Sequence, residues 1–310
     1  MYADCGTCGA REAGLKCPCN TRHYCNVACQ RADFKTHKGQ CTHWLVKDIG
    51  RQRDELQVMT AQGSSTLRSV FEVAEKEEKL AQQHKLVGDL LLYTLHADNF
   101  PAAEQHLKQA LELCRKLSAL KKQGGLGADA GIHVDGSILT LVSLGKLYQN
   151  SHKPADAVQV YQEARDSLCD NMHLHGSTPH RQETLALILS AQGEMYNEQY
   201  DREPGPDKSK CLAARALVEE AVAINRALNS QADELALELA TQPQHPLNQA
   251  NRQERTATVL LILMRTYRGL EMFDEARHTL KEAMVLSISR YVDESEMVAN
   301  CHRMSQTATA

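Results

Sequence analysis

Residues 141–164 read LVSLGKLYQNSHKPADAVQVYQEA. Leu141, Leu144, Gly145 and Tyr148 recur at helical spacing, and a polar break follows. Ala157, Tyr161 and Ala164 then recur at intervals of four and three, which places all three on one face of a second helix. Two small alanines let the preceding helix approach closely, and the larger residue between them fills the gap. The stretch therefore predicts two helices joined by a short turn and packed on each other.

The same small/large/small triad occurs three more times, as Ala103, Leu107, Ala110; Ala214, Val218, Ala221; and Ala276, Leu280, Ala283. Each has a helical segment upstream: Val87, Leu90 and Leu91 for the first, Leu189, Gly193 and Tyr196 for the third, Leu260, Leu263 and Tyr267 for the fourth. An interval of nine residues spans the turn in three units (Thr94 to Ala103, Tyr148 to Ala157, Tyr267 to Ala276). In the third it is 18 (Tyr196 to Ala214), and the stretch YDREPGPDKSK at 200–210 reads as an inserted loop. Steps between triads are 54, 57 and 62 residues, lengthened by linkers such as KKQGGLGADAG and TQPQHPLNQAN.

This pattern resembles the tetratricopeptide repeat (TPR), a helix–turn–helix unit of about 34 residues, here degenerate and widely spaced. The resemblance implies stacked helical pairs with a groove for a partner protein. Relatives that grip chaperone C-terminal carboxylates present Lys and Asn at set groove positions. Here those positions hold Gly88 and Leu92, Val142 and Lys146, Ser190 and Glu194, Leu261 and Arg265, so no such clamp is expected.

Composition agrees with helices. Apolar residues make up 42% of the 310 but aromatics only 5%, too few for a β-sandwich. Residues 44–83 are charged and helix-prone, with a break at Gly63-Ser64-Ser65, Ser65 as a helix N-cap, and Leu67, Val70, Phe71 and Ala74 as a packing face. Residues 291–310 read as a frayed tail. The expected fold class is thus mostly α: a finger over 1–43, a helical connector over 44–83, and a TPR-like helical solenoid over 84–290.

The finger rests on cysteines. Seven of eleven fall before residue 42, in CGTCGAREAGLKCPCNTRHYCNVACQRADFKTHKGQC. Cys5, Cys8, Cys17, Cys19, Cys25, Cys29, His37 and Cys41 make eight candidate ligands, enough for two closed tetrahedral sites of the structural zinc type. Cys25/Cys29 and His37/Cys41 are each spaced i,i+4, predicting that each pair shares a helix face. A 37-residue stretch with so few apolar residues builds no core of its own without metal.

The run Y-C-x-x-x-C-Q followed by H-K-x-x-C resembles the second half of a MYND zinc finger, and the whole ligand order of that family is met. The resemblance implies an interleaved arrangement, with Cys5, Cys8, Cys25 and Cys29 on one zinc and Cys17, Cys19, His37 and Cys41 on the other. Two departures stand out. Cys17-Pro18-Cys19 is one residue shorter than the family's C-x-x-C, which makes Cys17 the strained member, with His23 or His43 as substitutes. Phe34 stands where the family has Trp. In relatives that bind short proline-containing peptides, that aromatic and the Gln after the sixth ligand form the groove. Here they would be Phe34 and Gln30, and the indole N–H donor is lost. Trp44, the sole Trp, is expected to pack the finger against the helix behind it.

Net charge is −4, so no global basic field draws the chain to nucleic acid. Residues 1–43 carry a mild excess of basic over acidic side chains, and a nucleic-acid-binding finger remains one alternative. The other is a relative of MYND-containing methyltransferases that lacks the SET domain, since no β-rich block or cofactor motif of that domain is present. No common catalytic motif appears either. The cluster His173, His175 and His180 reads as an exposed polar loop. The expectation is a non-enzymatic protein–protein adaptor, cytoplasmic or nuclear and without a membrane span, since no secretory leader is visible and so many thiols suit a reducing compartment.

Overall fold

The computed structural model describes residues 5, 7–8, 15–17, 22–37, 41–61, 67–94, 97–122, 130–202, 208–238 and 246–288. Cys19, the Gly63–Ser65 break with its Ser65 cap, and the 291–310 tail lie outside these residues. Among them are ten α-helices and one pair of two-residue strands, so the fold is mostly α. No described helix is long and apolar enough to cross a membrane.

The chain divides into two units, Met1–Ser151 and His152–Ala310. The first holds β1 (Leu15–Lys16), β2 (His23–Tyr24), α1 (Val27–His37), α2 (Thr42–Ala61), α3 (Leu67–Tyr93), a 3-10 turn at Ala97–Asn99, α4 (Phe100–Lys122) and α5 (Ala130–Asn150). The strands are antiparallel, Leu15 facing Tyr24 and Lys16 facing His23. From α3 on, each helix packs antiparallel on the one before it. Asp48 and Glu55 of α2 meet Gln83 and Lys76 of α3 in reversed order. Glu77 and Gly88 of α3 meet Lys116 and Leu107 of α4. Glu104 and Cys114 of α4 meet Tyr148 and Gly136 of α5.

The packing face expected on α3 is only partly realised. Ala74 is buried against Leu117, but Phe71 is 47% exposed. The inward stripe runs through Ala74, Glu77, Ala81 and His84, and Phe71 falls outside it. The side chains of Leu67 and Val70 are outside the described set.

The second unit holds α6 (Pro154–His175), α7 (Pro179–Arg202), α8 (Ser209–Glu238), α9 (Pro246–Gly269) and α10 (Phe273–Ile288). α7 runs back along α6, with His152 and Gln162 meeting Arg202 and Gln192, and α9 runs back along α8, with Glu219 and Asn229 meeting Tyr267 and Thr256. α7 and α9 run parallel: Glu183 near the start of α7 meets Arg255, and Asn197 and Asp201 near its end meet Thr266 and Arg265. Asn197 and Thr266, both buried, fix that register through a 2.8 Å bond from Asn197 Nδ2 to Thr266 Oγ1. The stretch 200–210 is not all loop. Tyr200–Arg202 complete α7, where Arg265 binds Asp201 and Arg202 donates to the His152 carbonyl at 3.1 Å.

All four triads are buried. Where they cross a glycine the approach is closest. A Cβ added at Gly88 would lie 2.6 Å from Leu107 Cγ, and one at Gly193 would lie 2.3 Å from Val218 Cγ2 and 3.3 Å from the Ala214 carbonyl. The turn between α9 and α10 closes with Met272 N–H on the Tyr267 carbonyl (2.9 Å) and Glu271 N–H on that of Arg268 (3.0 Å). Those two bonds form a Schellman motif, with Glu271 left-handed at φ 62°. His152, at φ 56°, likewise stands four residues past a tyrosine.

Gly193→Ala should lower stability by about 1–2 kcal/mol, because overpacking between α7 and α8 outweighs the helix propensity gained. Gly50→Ala, in α2 with open space at its Cβ position, should raise stability by up to about 1 kcal/mol. Urea midpoints of the two variants should move in opposite directions.

His84 and His106 meet between α3 and α4 with their Nδ1 atoms 2.9 Å apart. Burial, then repulsion from His106, pushes His84 down to about 4, and burial lowers His106 as well. The neutral pair is the folded form. An unfolded histidine takes up its proton near pH 6.5, so stability is full above that value and is lost as pH falls towards about 4. Chemical denaturation at pH 7.5 and pH 5 should show a larger loss for the wild type than for His84→Gln.

Candidate metal centre

β1 and β2 carry Cys17 up to the turn before Tyr24, and Cys17 N–H extends the pairing with a 3.0 Å bond to the Arg22 carbonyl. Cys25 follows β2 directly. Asn26 then caps α1: its Oδ1 accepts from Cys29 N–H at 2.9 Å, and its Nδ2 donates to Cys25 Sγ at 3.3 Å. Thr7 Oγ1 donates to the Cys29 carbonyl at 2.9 Å, tying the first cysteine loop to the helix. His37 ends α1. Cys41 sits just before α2, its carbonyl accepting from Leu45 N–H at 2.9 Å.

The two i,i+4 pairs are therefore not on helix faces. Cys25 and Cys41 each lie just ahead of a helix, because Asn26 and the Cys41–Leu45 bond place the helix starts after them. Cys25 still meets Cys29, since a residue two positions before a helix lies beside its first turn, and His37 and Cys41 meet from the end of α1 and the approach to α2.

Two groups of ligand atoms result. Cys5, Cys8, Cys25 and Cys29 form one, and Cys17, His37 and Cys41 the other, with all ligand atoms in a group within 4.8 Å of one another. Cys19 lies outside the described residues. His23 is half-buried and His43 exposed, and neither joins a group; Cys17 does. The histidines at 173, 175 and 180 are exposed and form no such group.

The sulfur spacing fits a tetrahedral metal. Cys8 and Cys25 Sγ are 3.6 Å apart, as are those of Cys25 and Cys29, and those of Cys17 and Cys41 are 3.5 Å apart. Thiolates at about 2.3 Å from zinc have tetrahedral edges of about 3.8 Å, whereas a disulfide needs about 2.05 Å. The nine described cysteines are all free.

Electrostatics point the same way. Backbone N–H groups of Cys8, Thr7 and Cys25 hydrogen-bond to Cys5 and hold it down at about 6. Its neighbour Cys29 is pushed up to about 12 by the Cys25 thiol and by burial. Four crowded sulfurs cannot all carry charge unaided, and a dication relieves that conflict. Burial lowers His37, which keeps its imidazole neutral and able to ligate.

The candidate ligands Cys5, Cys17 and Cys41 are themselves buried with Tyr24 in a small core, against which Trp44 packs. Leu45 and Ile49 then seat α2 on Leu80 and Val87 of α3. The sequence reading passed over Asn26, Thr7 and the buried Tyr24. Of these, only Asn26 had a local signal, as a capping residue ahead of a helix. Gln30 is half-buried on α1 beside Cys29; Phe34 lies one turn further on, with its side chain outside the described set.

Beyond the finger, a cleft of about 490 Å³ opens among α8, α9 and α10. Leu260 and Leu263 are part of its lining, and Arg226 and Glu282 close one side through bonds of 2.6 and 2.7 Å.

Residues 5–41 match the MYND finger family. No curated protein matches the chain. Among solved structures, the chain is similar to BtubC (BKLC) from P. vanneervenii, with 14% identity and a TM-score of 0.36 over 81% of this chain and 95% of that one. A likeness that slight carries no argument. The eight-ligand motif, the two clustered ligand groups and the family match converge on one statement: residues 5–41 are a MYND finger, a zinc-binding protein-interaction module.

Proposed function

We propose that the chain is a non-enzymatic adaptor of the cytoplasm or nucleus, with the finger as one docking module and the helical body as another. In this reading two structural zinc ions hold the finger. Cys5, Cys8, Cys25 and Cys29 bind one, and Cys17, Cys19, His37 and Cys41 bind the other. The observation that carries it is the clustering of seven of those side chains at metal-binding distances, from positions scattered over 37 residues. Gln30 and Phe34, on the α1 turns after Cys29, take the place of the family's peptide groove, and phenylalanine there supplies an apolar face without a donor.

The helical body is read as TPR-like stacked pairs that offer a second protein a groove. Support comes from the four buried Ala-flanked triads and the parallel packing of α7 and α9. Helices that alternate in this way build layers, and layered pairs leave extended surfaces for partners.

A random-peptide display library panned on the full chain tests the finger. Recovered peptides should bind the wild type and lose at least tenfold in affinity for Cys29→Ser or for Phe34→Ala, while far-UV helicity stays largely intact. Peptides that bind all three forms equally, or no enrichment over the Cys29→Ser control, would contradict the proposal.

A further inference from the structure

Tyr24 and Asp33 are the polar pair in the finger that ligand counting leaves unexplained. Tyr24 is 1% exposed and stands in the small core with Cys5, Cys17 and Cys41. Its hydroxyl donates to Asp33 Oδ2 at 2.7 Å. Asp33 is half-buried on α1, four residues before His37, so the two lie on one helix face. Its charge acts on His37, which is itself 3% exposed.

A carboxylate beside a thiolate-rich site is an electrostatic cost unless it accepts a hydrogen bond. A metal-bound imidazole has one ring N–H left over, and that N–H needs an acceptor when buried. Asp33 supplies the acceptor chemistry, and the Tyr24 hydroxyl holds one of its oxygens in place. Arg22 stands within electrostatic reach of both Tyr24 and His37 and offsets part of the charge.

We propose Asp33 as the positioning residue for His37: clamped by Tyr24 and one helical turn before His37, its carboxylate accepts from the ring N–H that a bound metal leaves over, and so fixes which ring nitrogen faces Cys17 and Cys41. The inference rests on the reading of His37 as a metal ligand. It makes Tyr24–Asp33–His37 a relay of orientation from the core of the finger to one of its two metal sites, and leaves the Cys5 group untouched.

The test is cadmium-113 NMR on the full chain after exchange of the bound metal, together with chelator competition. The wild type should show two resonances, one for an all-sulfur site and one for a site with nitrogen. In Asp33→Asn, which keeps the shape of the side chain but not its charge, the nitrogen-site resonance should shift or broaden. That site should also lose metal to chelator about 10–100-fold more readily, with the all-sulfur resonance in place. Tyr24→Phe, which releases the clamp and keeps the carboxylate, should give a smaller change at the same site. Fewer than two resonances in the wild type would sink the two-site reading itself. Two wild-type resonances, with Asp33→Asn leaving the nitrogen site unchanged or weakening both sites equally, would overturn the role of Asp33 and leave the ligand reading intact.

Discussion

Sulfur atoms 3.5 to 3.6 Å apart, too far for a bond and too close for several like charges, set the terms for the first part of this chain. The finger has little apolar material of its own: among the described residues its buried core is three cysteines and one tyrosine. Folding energy for such a segment must come from metal–thiolate bonds. The consequences run outward along the chain. Cys41, a candidate ligand, stands immediately before α2, and its carbonyl accepts the first bond of that helix from Leu45 N–H. Trp44, one turn later, lies on the finger core, and Leu45 and Ile49 lie on α3. Metal coordination is thereby coupled to the placement of the first long helix pair rather than confined to a loop.

The helical units obey a different constraint, that of close approach. Alanines at both ends of each triad, and glycines at 88 and 193, let neighbouring helices come nearer than larger side chains would permit. Dispersion and apolar burial along these seams carry the stability. Polar pairs then select the register. Asn197 with Thr266 locks α7 to α9, and the neutral His84–His106 pair does the same between α3 and α4 at the expense of acid tolerance.

Much of this was written in the sequence because the responsible residues are few and obligatory. Structural zinc draws its ligands from very few residue types, so the cysteine count and order announced the finger. Buried alanine triads repeat at helical spacing, so the helical pairs were visible too. What escaped has no periodic signature. Tyr24 and Asp33 meet across nine positions, and Asn197 and Thr266 across 69. The i,i+4 spacing of Cys25 and Cys29 fits a helix face and a helix start equally well, and Asn26 decides between them in space. The left-handed residue at 271 is a glutamate, so no glycine marked the turn. Phe71 shows the limit of periodicity: the spacing was right, but the stripe facing inward ran one step to the side.

The most direct test of the account is a zinc titration of metal-free protein, prepared reduced, with emission of the single tryptophan as the readout. Trp44 sits on the finger core and no other tryptophan contributes. The account predicts a red-shifted emission without metal that moves to the blue as zinc is added and stops changing at two equivalents, with elemental analysis giving two zinc ions per chain. Saturation at one equivalent, or emission that does not respond to zinc, would contradict it.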